Sequence, residues 1–189
     1  MSPSALWTWT YIAWIAGEVV ISIATRTRRG QGNIQDRGSQ IVLWVVIALS
    51  LTACGWVRYL HYATIPRSGQ WLGLVSLAVM AAGLLLRLAA ILTLGRSFSA
   101  NVATHATQTI QRSGLYHFVR HPSYLGMEII FFAIGLHARD WICLAVAFIP
   151  PTAAILYRIH VEEAALVGAF GSEYAEYSRT TKRLIPGLY

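Results

Sequence analysis

One stretch, residues 113–126, concentrates the side chains that can bind an anion or move a proton. It holds two His, one Arg, two Tyr and one Pro between long apolar runs. Pro122 disfavours helical backbone at His121 but suits the first position of a helix, so a helix is predicted to begin at Pro122. A helix start presents free N–H groups, and Arg120 adds a positive charge beside them, which favours a site for a carboxylate or phosphate. The alternative is a charged boundary of a membrane helix with interfacial tyrosines.

A second polar cluster lies nearer the end of the chain. Arg158 and Glu162 are four residues apart and share a face of any helix, although a solvated helix with one ion pair is the simplest interpretation of them alone. Gly171 is predicted to end this helix. Tyr174 and Tyr177 share one face beyond it, where they are interpreted as interfacial anchors.

The composition places both clusters in a membrane protein. Apolar residues make up 56% of the 189-residue chain and charged residues only 12%, about half the usual charged share of a soluble protein. The pattern predicts an all-α integral membrane fold with about five transmembrane helices and a cytoplasmic C-terminal helical segment. The chain is divided into a three-helix part, residues 1–94, and a core, residues 95–189, within one structural domain. The five apolar runs are residues 6–24, 41–57, 71–94, 123–136 and 141–157.

The fourth and fifth runs are predicted to form a hairpin. The fourth is short for a full span, and Pro150 and Pro151 must disturb the fifth. We expect such a hairpin to leave a gap through which a lipid-like molecule enters from the bilayer.

The distribution of charge predicts the orientation. The net charge is +7, but the basic residues lie in short loops rather than along one face, which argues against a nucleic-acid partner. No obligate protein partner is inferred. Because cytoplasmic loops carry the excess of Lys and Arg, the N-terminus is predicted outside, with both polar clusters and the C-terminus in the cytoplasm. Three basic residues fall outside, and Arg87 lies within the membrane. The eleven on the cytoplasmic side are Arg26, Arg28, Arg29, Arg37, Arg96, Arg112, Arg120, Arg158, Arg179, Lys182 and Arg183.

Polar side chains inside the apolar runs have their own predictions. Arg87 is expected to pair with Glu18 or Glu128, or to extend its head group towards the nearer membrane face. Cys54 and Cys143 have no metal-ligand spacing, so they are predicted to be small buried side chains, and no metal site is expected.

The order of motifs in the second half of the chain is more specific than any one of them. The motifs are Gly114-x-Tyr116, Arg120-His121-Pro122-x-Tyr124-x-Gly126, Arg158, Glu162-Glu163-x-x-Leu166, Phe170-Gly171-x-x-Tyr174-x-x-Tyr177 and Arg183-Leu184-Ile185-Pro186. Together they resemble the isoprenylcysteine carboxyl methyltransferase family in its short prokaryotic form. The resemblance covers about half of the chain. Two positions depart from it: Leu115 stands where the family usually has Pro, and Glu128 where it has an apolar residue.

The resemblance implies a membrane methyltransferase that uses S-adenosylmethionine and resides in a prokaryotic inner membrane. The implied acceptor is a small lipophilic or membrane-associated molecule that bears a carboxylate, as in prenylcysteine, or a thiol or amine. Arg120 is the first candidate to orient a carboxylate acceptor and Arg158 the second. Glu162 or Glu163 faces the cofactor, and Glu162, Glu163 or His121 can accept the proton of a thiol or amine. The cofactor-binding residues that the resemblance implies are Gln108, Ile110, Gly114, Tyr116, His121, Pro122, Tyr124, Leu125, Gly126, Glu162 and Glu163.

Two rival functions stay open at the level of sequence. Membrane sterol reductases that use NADPH share a similar Arg-His-Pro-x-Tyr motif and a similar ending. This chain, however, has no extra basic cluster for a 2′-phosphate. The other rival is a non-catalytic membrane module that retains the pocket.

Overall fold

A computed structural model of the chain describes residues 2–25, 33–34, 36, 38–60, 63–65, 70–99, 103–104 and 109–189. The described part is almost entirely helical, which confirms the predicted all-α class. Two strands of two residues each, β1 (Asn33–Ile34) and β2 (Ala103–Thr104), pair in antiparallel fashion. The helices are α1 (Pro3–Ala24), α2 (Ser39–Leu60), α3 (Gln70–Leu94), α4 (Leu115–Phe118), α5 (Pro122–Ala138), α6 (Trp141–Phe170) and α7 (Ser172–Thr180).

Helix length separates α5 from the other long helices. In the described part of the chain, α1, α2, α3 and α6 are long and apolar enough to cross a membrane. The 17 residues of α5 give a length of about 26 Å, short of the ~30 Å hydrocarbon core of a bilayer. The 30 residues of α6 give about 45 Å, so α6 is longer than a span needs. Five full spans therefore stay a prediction, and the helix of the fifth apolar run, residues 141–157, continues to Phe170.

The surface of the bundle suits a lipid environment. One face of each long helix joins a core that includes Met80, Phe131 and Ile155, which are fully buried. The opposite faces expose large apolar side chains such as Val20, at 63%, and Leu92, at 69%. Such faces are stable against lipid and not against water. The protein is an integral membrane protein.

The hairpin of α5 and α6 is packed against the rest of the bundle. Helix α5 lies mainly against α3, and α6 lies mainly against α2. The α3–α5 contact depends on glycine, because a Cβ on Gly126 would lie 2.8 Å from the Gly83 carbonyl oxygen and 2.8 Å from the Arg87 backbone nitrogen. Small residues permit this close approach of two membrane helices. The gap beside the hairpin stays a prediction, and Gly126, predicted to touch a cofactor, lies in a helix contact.

The bundle has two distinct ends. At the proximal end, α1, α3 and α6 finish while α2 and α5 begin. At the distal end, Cys54 of α2 and Cys143 of α6 form a disulfide. Both are buried, as predicted, but the prediction did not include their bond. Asp140 accepts hydrogen bonds there from the backbone N–H groups of Cys143, at 3.0 Å, and Ala63, at 3.0 Å. The disulfide and the Asp140 cap thus tie the start of α6 to the end of α2 and the residues that follow it.

An ion pair lies inside the bundle. The Arg87 guanidinium donates through Nε and Nη2 to both carboxylate oxygens of Glu18, and through Nη1 to Ser123 Oγ at 2.8 Å. All three residues are buried. The prediction that Arg87 pairs with Glu18 is confirmed. Glu128 is placed elsewhere, with Oε2 2.7 Å from the Thr152 hydroxyl.

Candidate active site

A cavity of about 890 Å³, counted out to its mouth, opens at the proximal end. Its wall combines aromatic rings, hydroxyl groups, one carboxylate and one guanidinium. Residues from α3, α4, α5, α6 and α7 and from the two segments between α3 and α4 contribute to it. The lining residues are Leu94, Ser97, Phe98, Ser99, Thr109, Ile110, Gln111, Tyr116, Arg120, His121, Ser123, Tyr124, Glu162, Ala165, Leu166, Phe170, Tyr174 and Tyr177.

Glu162 presents a carboxylate to this cavity from α6. Its Oε2 accepts a hydrogen bond from the Tyr124 hydroxyl at 2.7 Å. The same hydroxyl oxygen accepts from Arg158 Nε at 2.9 Å. Arg158 and Glu162 therefore do not pair directly, as their spacing of four residues suggested, because the Tyr124 hydroxyl lies between them. Among the described residues, nothing donates to Glu162 Oε1.

Glu163, the next residue, is fully engaged with cations. Its Oε1 lies 2.7 Å from Arg120 Nη2 and 3.3 Å from His121 Nε2, and its Oε2 lies 2.9 Å from Arg183 Nη2. Neighbouring carboxylates thus face different surroundings, one towards the cavity and one into an ion cluster. This division favours Glu162 as the acid that meets a ligand.

Arg120 holds the last described segment against the start of α5. Its Nη1 donates to the carbonyls of Ser178, at 2.8 Å, and Thr181. The backbone N–H groups of Arg120 and His121 donate to the carbonyls of Lys182, at 2.8 Å, and Arg183, at 3.1 Å. In the first turn of α5, the N–H groups of Tyr124 and Leu125 donate to the His121 carbonyl, and the anion beside Arg120 at this end is Glu163.

Three tyrosines form a buried floor beside the two acids. The Tyr177 hydroxyl donates to the Tyr116 carbonyl at 2.6 Å, and the Tyr116 hydroxyl donates to the Ala90 carbonyl at 3.2 Å. Burial raises the pKa of Tyr177 to about 12 and raises the pKa values of Tyr116 and Tyr174 further. These phenols therefore stay protonated across the physiological range. The interpretation of Tyr174 and Tyr177 as interfacial anchors is wrong, since both are buried and line the cavity.

The structure gathers about half of the predicted site residues around the cavity. Ile110, Tyr116, Arg120, His121, Tyr124 and Glu162 line it. Gln108 lies outside the described residues.

The others have structural positions with evident causes. Gly114 has a φ of 61° at the start of α4, Pro122 is buried as the first residue of α5, and Leu125 packs against the apolar core. Gly126 contacts α3, and Glu163 belongs to the ion cluster. None of these five lines the cavity, so their contact with a cofactor stays a prediction.

Several lining residues were missed by sequence reasoning. They lie in the stretch between α3 and α4 and at the start of α5, where no recognisable motif marks them. The available signal is composition, because a hydroxyl-rich stretch between an apolar helix and the Arg120 motif has to cross the proximal end. The missed residues include Ser97, Phe98, Ser99, Thr109, Gln111 and Ser123.

A smaller cavity adjoins the first and extends between α1 and α2. It shares Phe98, Ser99 and Tyr124 with the main cavity. Two guanidinium groups, those of Arg87 and Arg158, reach its wall. The remainder of its lining is largely apolar and comprises Ile21, Ser22, Gln40, Leu43, Trp44 and Met127.

The sequence profile of the isoprenylcysteine carboxyl methyltransferase family matches residues 74–168, which is half of the chain. The chain belongs to this family. The matched range runs from α3 through most of α6 and so includes the Arg120 motif and both acids.

Comparison with individual proteins agrees with this membership. Over 138 residues, 69% of this chain and 47% of the relative, the chain is 31% identical to a protein-S-isoprenylcysteine O-methyltransferase of Xenopus laevis. Over 72 residues, 38% of this chain and 24% of the relative, it is 38% identical to methanethiol S-methyltransferase 1 of Bradyrhizobium diazoefficiens. A solved structure of the eukaryotic intramembrane Ras methyltransferase of this family superposes with a TM-score of 0.64 at 25% identity, covering 76% of this chain and 52% of that one.

The isoprenylcysteine methyltransferases among these relatives are longer proteins. The chain spans about half the length of those it matches, from 41% to 48%.

Proposed function

We propose that this chain is a membrane methyltransferase that uses S-adenosylmethionine and methylates a lipophilic or membrane-associated acceptor. The observation that carries the proposal is Glu162. It presents a carboxylate oxygen that has no donor among the described residues to a mixed aromatic and hydroxyl-lined cavity, in a chain of the isoprenylcysteine methyltransferase family.

The residues around the main cavity fit S-adenosylmethionine. Glu162 offers a negative partner for an ammonium or sulfonium group. Phe98, Tyr174 and Phe170 offer aromatic faces for a purine, and Ser97 and Thr109 offer hydroxyls.

When bound, S-adenosylmethionine supplies an electrophilic methyl group on its sulfonium. The chain has to hold the acceptor in line with that group and to balance charge, which are positioning and electrostatic contributions. The Tyr124 hydroxyl fixes the Glu162 carboxylate, and the buried phenols exclude water from the floor of the cavity.

The smaller cavity suits the acceptor. Its apolar wall between α1 and α2 matches a lipophilic body, and Arg158 matches a negatively charged end, either a carboxylate or a thiolate. Arg158 is preferred to Arg120 here, because Arg158 lines the smaller cavity and Arg120 lines the main one. A carboxylate acceptor needs no general base, whereas a thiol or amine acceptor has a proton to lose, which Glu162 can accept.

The orientation is also proposed. We place the proximal end in the cytoplasm of a prokaryotic cell and the distal end outside its inner membrane. The charge asymmetry of the sequence supports this, and so does the disulfide of Cys54 and Cys143 at the distal end, since disulfides persist in oxidising compartments. A cysteine placed at Arg139 is expected to react with an impermeant thiol reagent in intact cells, and one placed at Arg183 is not. The reverse pattern contradicts the orientation.

Cofactor binding to the purified protein tests the function directly. Calorimetry is expected to give micromolar-scale dissociation constants for S-adenosylmethionine and for its demethylated product, as for an enzyme that works near cellular cofactor concentrations. NADPH is the matched control ligand, since it also carries an adenosine. Binding of NADPH with no binding of S-adenosylmethionine at millimolar concentration contradicts the proposal and favours a reductase.

Transfer of a radiolabelled methyl group identifies the acceptor class. Prenylcysteine, a long-chain thiol and a long-chain amine provide three acceptors with similar apolar bodies and different nucleophiles. Methylation of one of them by the wild type, and not by Glu162→Gln, is the expected result. Cofactor binding without transfer to any acceptor favours the non-catalytic alternative.

A further inference from the structure

We infer that Asp36 is a positioning residue of this site, which acts through Arg158 and the Tyr124 hydroxyl to orient the Glu162 carboxylate. The inference rests on the proposed function. Asp36 lies outside the matched family range, which begins at residue 74. It also lies outside the motifs of the second half of the chain.

The contact between Asp36 and Arg158 joins segments far apart in sequence. Asp36 Oδ1 lies 2.9 Å from Arg158 Nη1, and the two side chains are 14% and 4% exposed. An ion pair this enclosed is screened little by solvent or salt, unlike a pair on an open surface. Removal of the acid would leave the guanidinium without one of its neutralising charges.

Asp36 is itself held by hydrogen bonds at the start of α2. Its backbone carbonyl accepts from the Ser39 N–H at 2.8 Å, and its Oδ1 accepts from the Ser39 hydroxyl at 2.7 Å. The Ser39 oxygen in turn accepts from Arg158 Nη1 at 2.9 Å. The Ser39 hydroxyl thus donates its single hydrogen to Asp36 and accepts from Arg158. The oxygens of Asp36 and Ser39 therefore both accept hydrogen bonds from Nη1 of Arg158.

The planarity of the guanidinium carries this constraint to Tyr124. Because the fork of an arginine is rigid, fixing Nη1 also fixes the direction of Nε. Arg158 Nε donates to the Tyr124 oxygen at 2.9 Å, and Tyr124 has one hydrogen, which is then directed to Glu162 Oε2 at 2.7 Å. Polarisation along such a chain strengthens each hydrogen bond in it. Asp36 thereby orients the Glu162 carboxylate, with one oxygen on the Tyr124 hydroxyl and the other towards the cavity.

A purely structural role for Asp36 makes a different prediction. If the acid only neutralises Arg158 to hold α2 against α6, its loss lowers the unfolding temperature and leaves the cofactor affinity of the folded protein unchanged. If it positions Glu162, the affinity changes in the folded protein, and the change depends on Tyr124.

The experiment compares Asp36→Asn, Tyr124→Phe and the double variant with the wild type by calorimetry with S-adenosylmethionine and its demethylated product. Glu176→Gln is the matched control, since it removes one exposed negative charge from the proximal end. Asp36→Asn is expected to weaken cofactor binding about 10-fold, in the range of one hydrogen bond to a charged group, and Glu176→Gln less than about 2-fold. In the Tyr124→Phe background the Asp36 substitution is expected to have almost no further effect, because the chain of hydrogen bonds is already broken.

Two results overturn the inference. One is wild-type affinity in an Asp36→Asn protein that elutes and unfolds like the wild type. The other is an additive effect of Asp36→Asn and Tyr124→Phe. If Asp36→Asn does not fold, Ser39→Ala gives the same test. It keeps both charges and removes one support of Arg158, so we expect a loss of about 3-fold in affinity, and none overturns the inference.

Failure of the proposed function has a different signature. In that case the wild type itself binds neither S-adenosylmethionine nor its product, and none of the variants gives a binding signal.

Discussion

Two acid–arginine systems lie close together in this bundle. They differ in whether both carboxylate oxygens of the acid have a donor among the described residues. In the Glu18–Arg87 pair, both carboxylate oxygens are bound by the guanidinium, and the remaining nitrogen donates to Ser123. In the system of Glu162 and Arg158, the Tyr124 hydroxyl separates acid from base, and one carboxylate oxygen faces a cavity. A closed pair holds helices together, whereas an open one can hold a ligand.

The comparison shows why buried charge alone does not identify a site. Ionisable residues inside membrane segments are functional suspects by default. Glu18 meets that criterion by sequence, yet both of its carboxylate oxygens are bound by Arg87. What distinguishes Glu162 is a carboxylate oxygen at the wall of a cavity that has no donor among the described residues. Only the three-dimensional arrangement reveals this property.

The largest effect is expected from breaking the closed pair. Glu18→Gln leaves the Arg87 charge buried without its counter-ion, which typically costs about 3–5 kcal/mol of folding free energy. The unfolding temperature in detergent should fall steeply, while the cofactor affinity of any protein that remains folded stays close to wild type.

The matched control for this prediction removes both charges. Glu18→Leu combined with Arg87→Met replaces the ion pair by apolar groups of similar volume, which is often neutral for stability. If the double variant is as unstable as Glu18→Gln, uncompensated charge is not the cause.

An intermediate effect is expected at the open system. Glu162→Gln removes a negative partner from the cavity and should weaken S-adenosylmethionine binding by about 10- to 100-fold, the range for a hydrogen bond to a charged group. The unfolding temperature should change little, since the Glu162 carboxylate has one hydrogen bond within the described part of the chain. Calorimetry and a thermal melt on the same sample check both statements. A large loss of stability with unchanged affinity would show that Glu162, like Glu18, stabilises the fold and does not bind the ligand. The contrast between the two systems would then be wrong.

The smallest effect is expected at an exposed pair on the proximal surface. Arg112 and Glu173 lie 2.9 Å apart with side chains 42% and 59% exposed. Exposed pairs contribute about 0–1 kcal/mol, so Arg112→Gln should leave the unfolding temperature nearly unchanged, and added salt should remove any small difference. A loss of stability comparable with that of Glu18→Gln would show that the contributions of these ion pairs to stability do not follow their burial.

Local rules predicted the parts of the fold that local chemistry controls. The start of α5 at Pro122 and the end of α6 at Gly171 follow from backbone preferences of single residues. The pairing of Arg87 with Glu18 follows from the cost of leaving a charge alone in an apolar bundle.

Contacts between distant segments could not be predicted in the same way. An ion pair of Arg158 was expected four residues away with Glu162, whereas among the described residues Arg158 pairs with Asp36, 122 positions earlier. Tyr174 and Tyr177 have the composition of interfacial anchors, and only the docking of α7 shows that they are buried. Cys54 and Cys143 become partners because α2 and α6 pack side by side. No local pattern in the sequence records these neighbours.

The bond between the start of α5 and the segment after α7 has a consequence for synthesis of the protein. The carbonyls of Lys182 and Arg183 accept hydrogen bonds from the N–H groups of Arg120 and His121. Residues about sixty positions apart in the sequence therefore form one wall of the site together. A ribosome that has translated only as far as α6 has delivered Glu162 and Glu163 without the backbone that seals this wall. Cofactor capture by the nascent chain is therefore expected only after the segment following α7 has left the exit tunnel and docked.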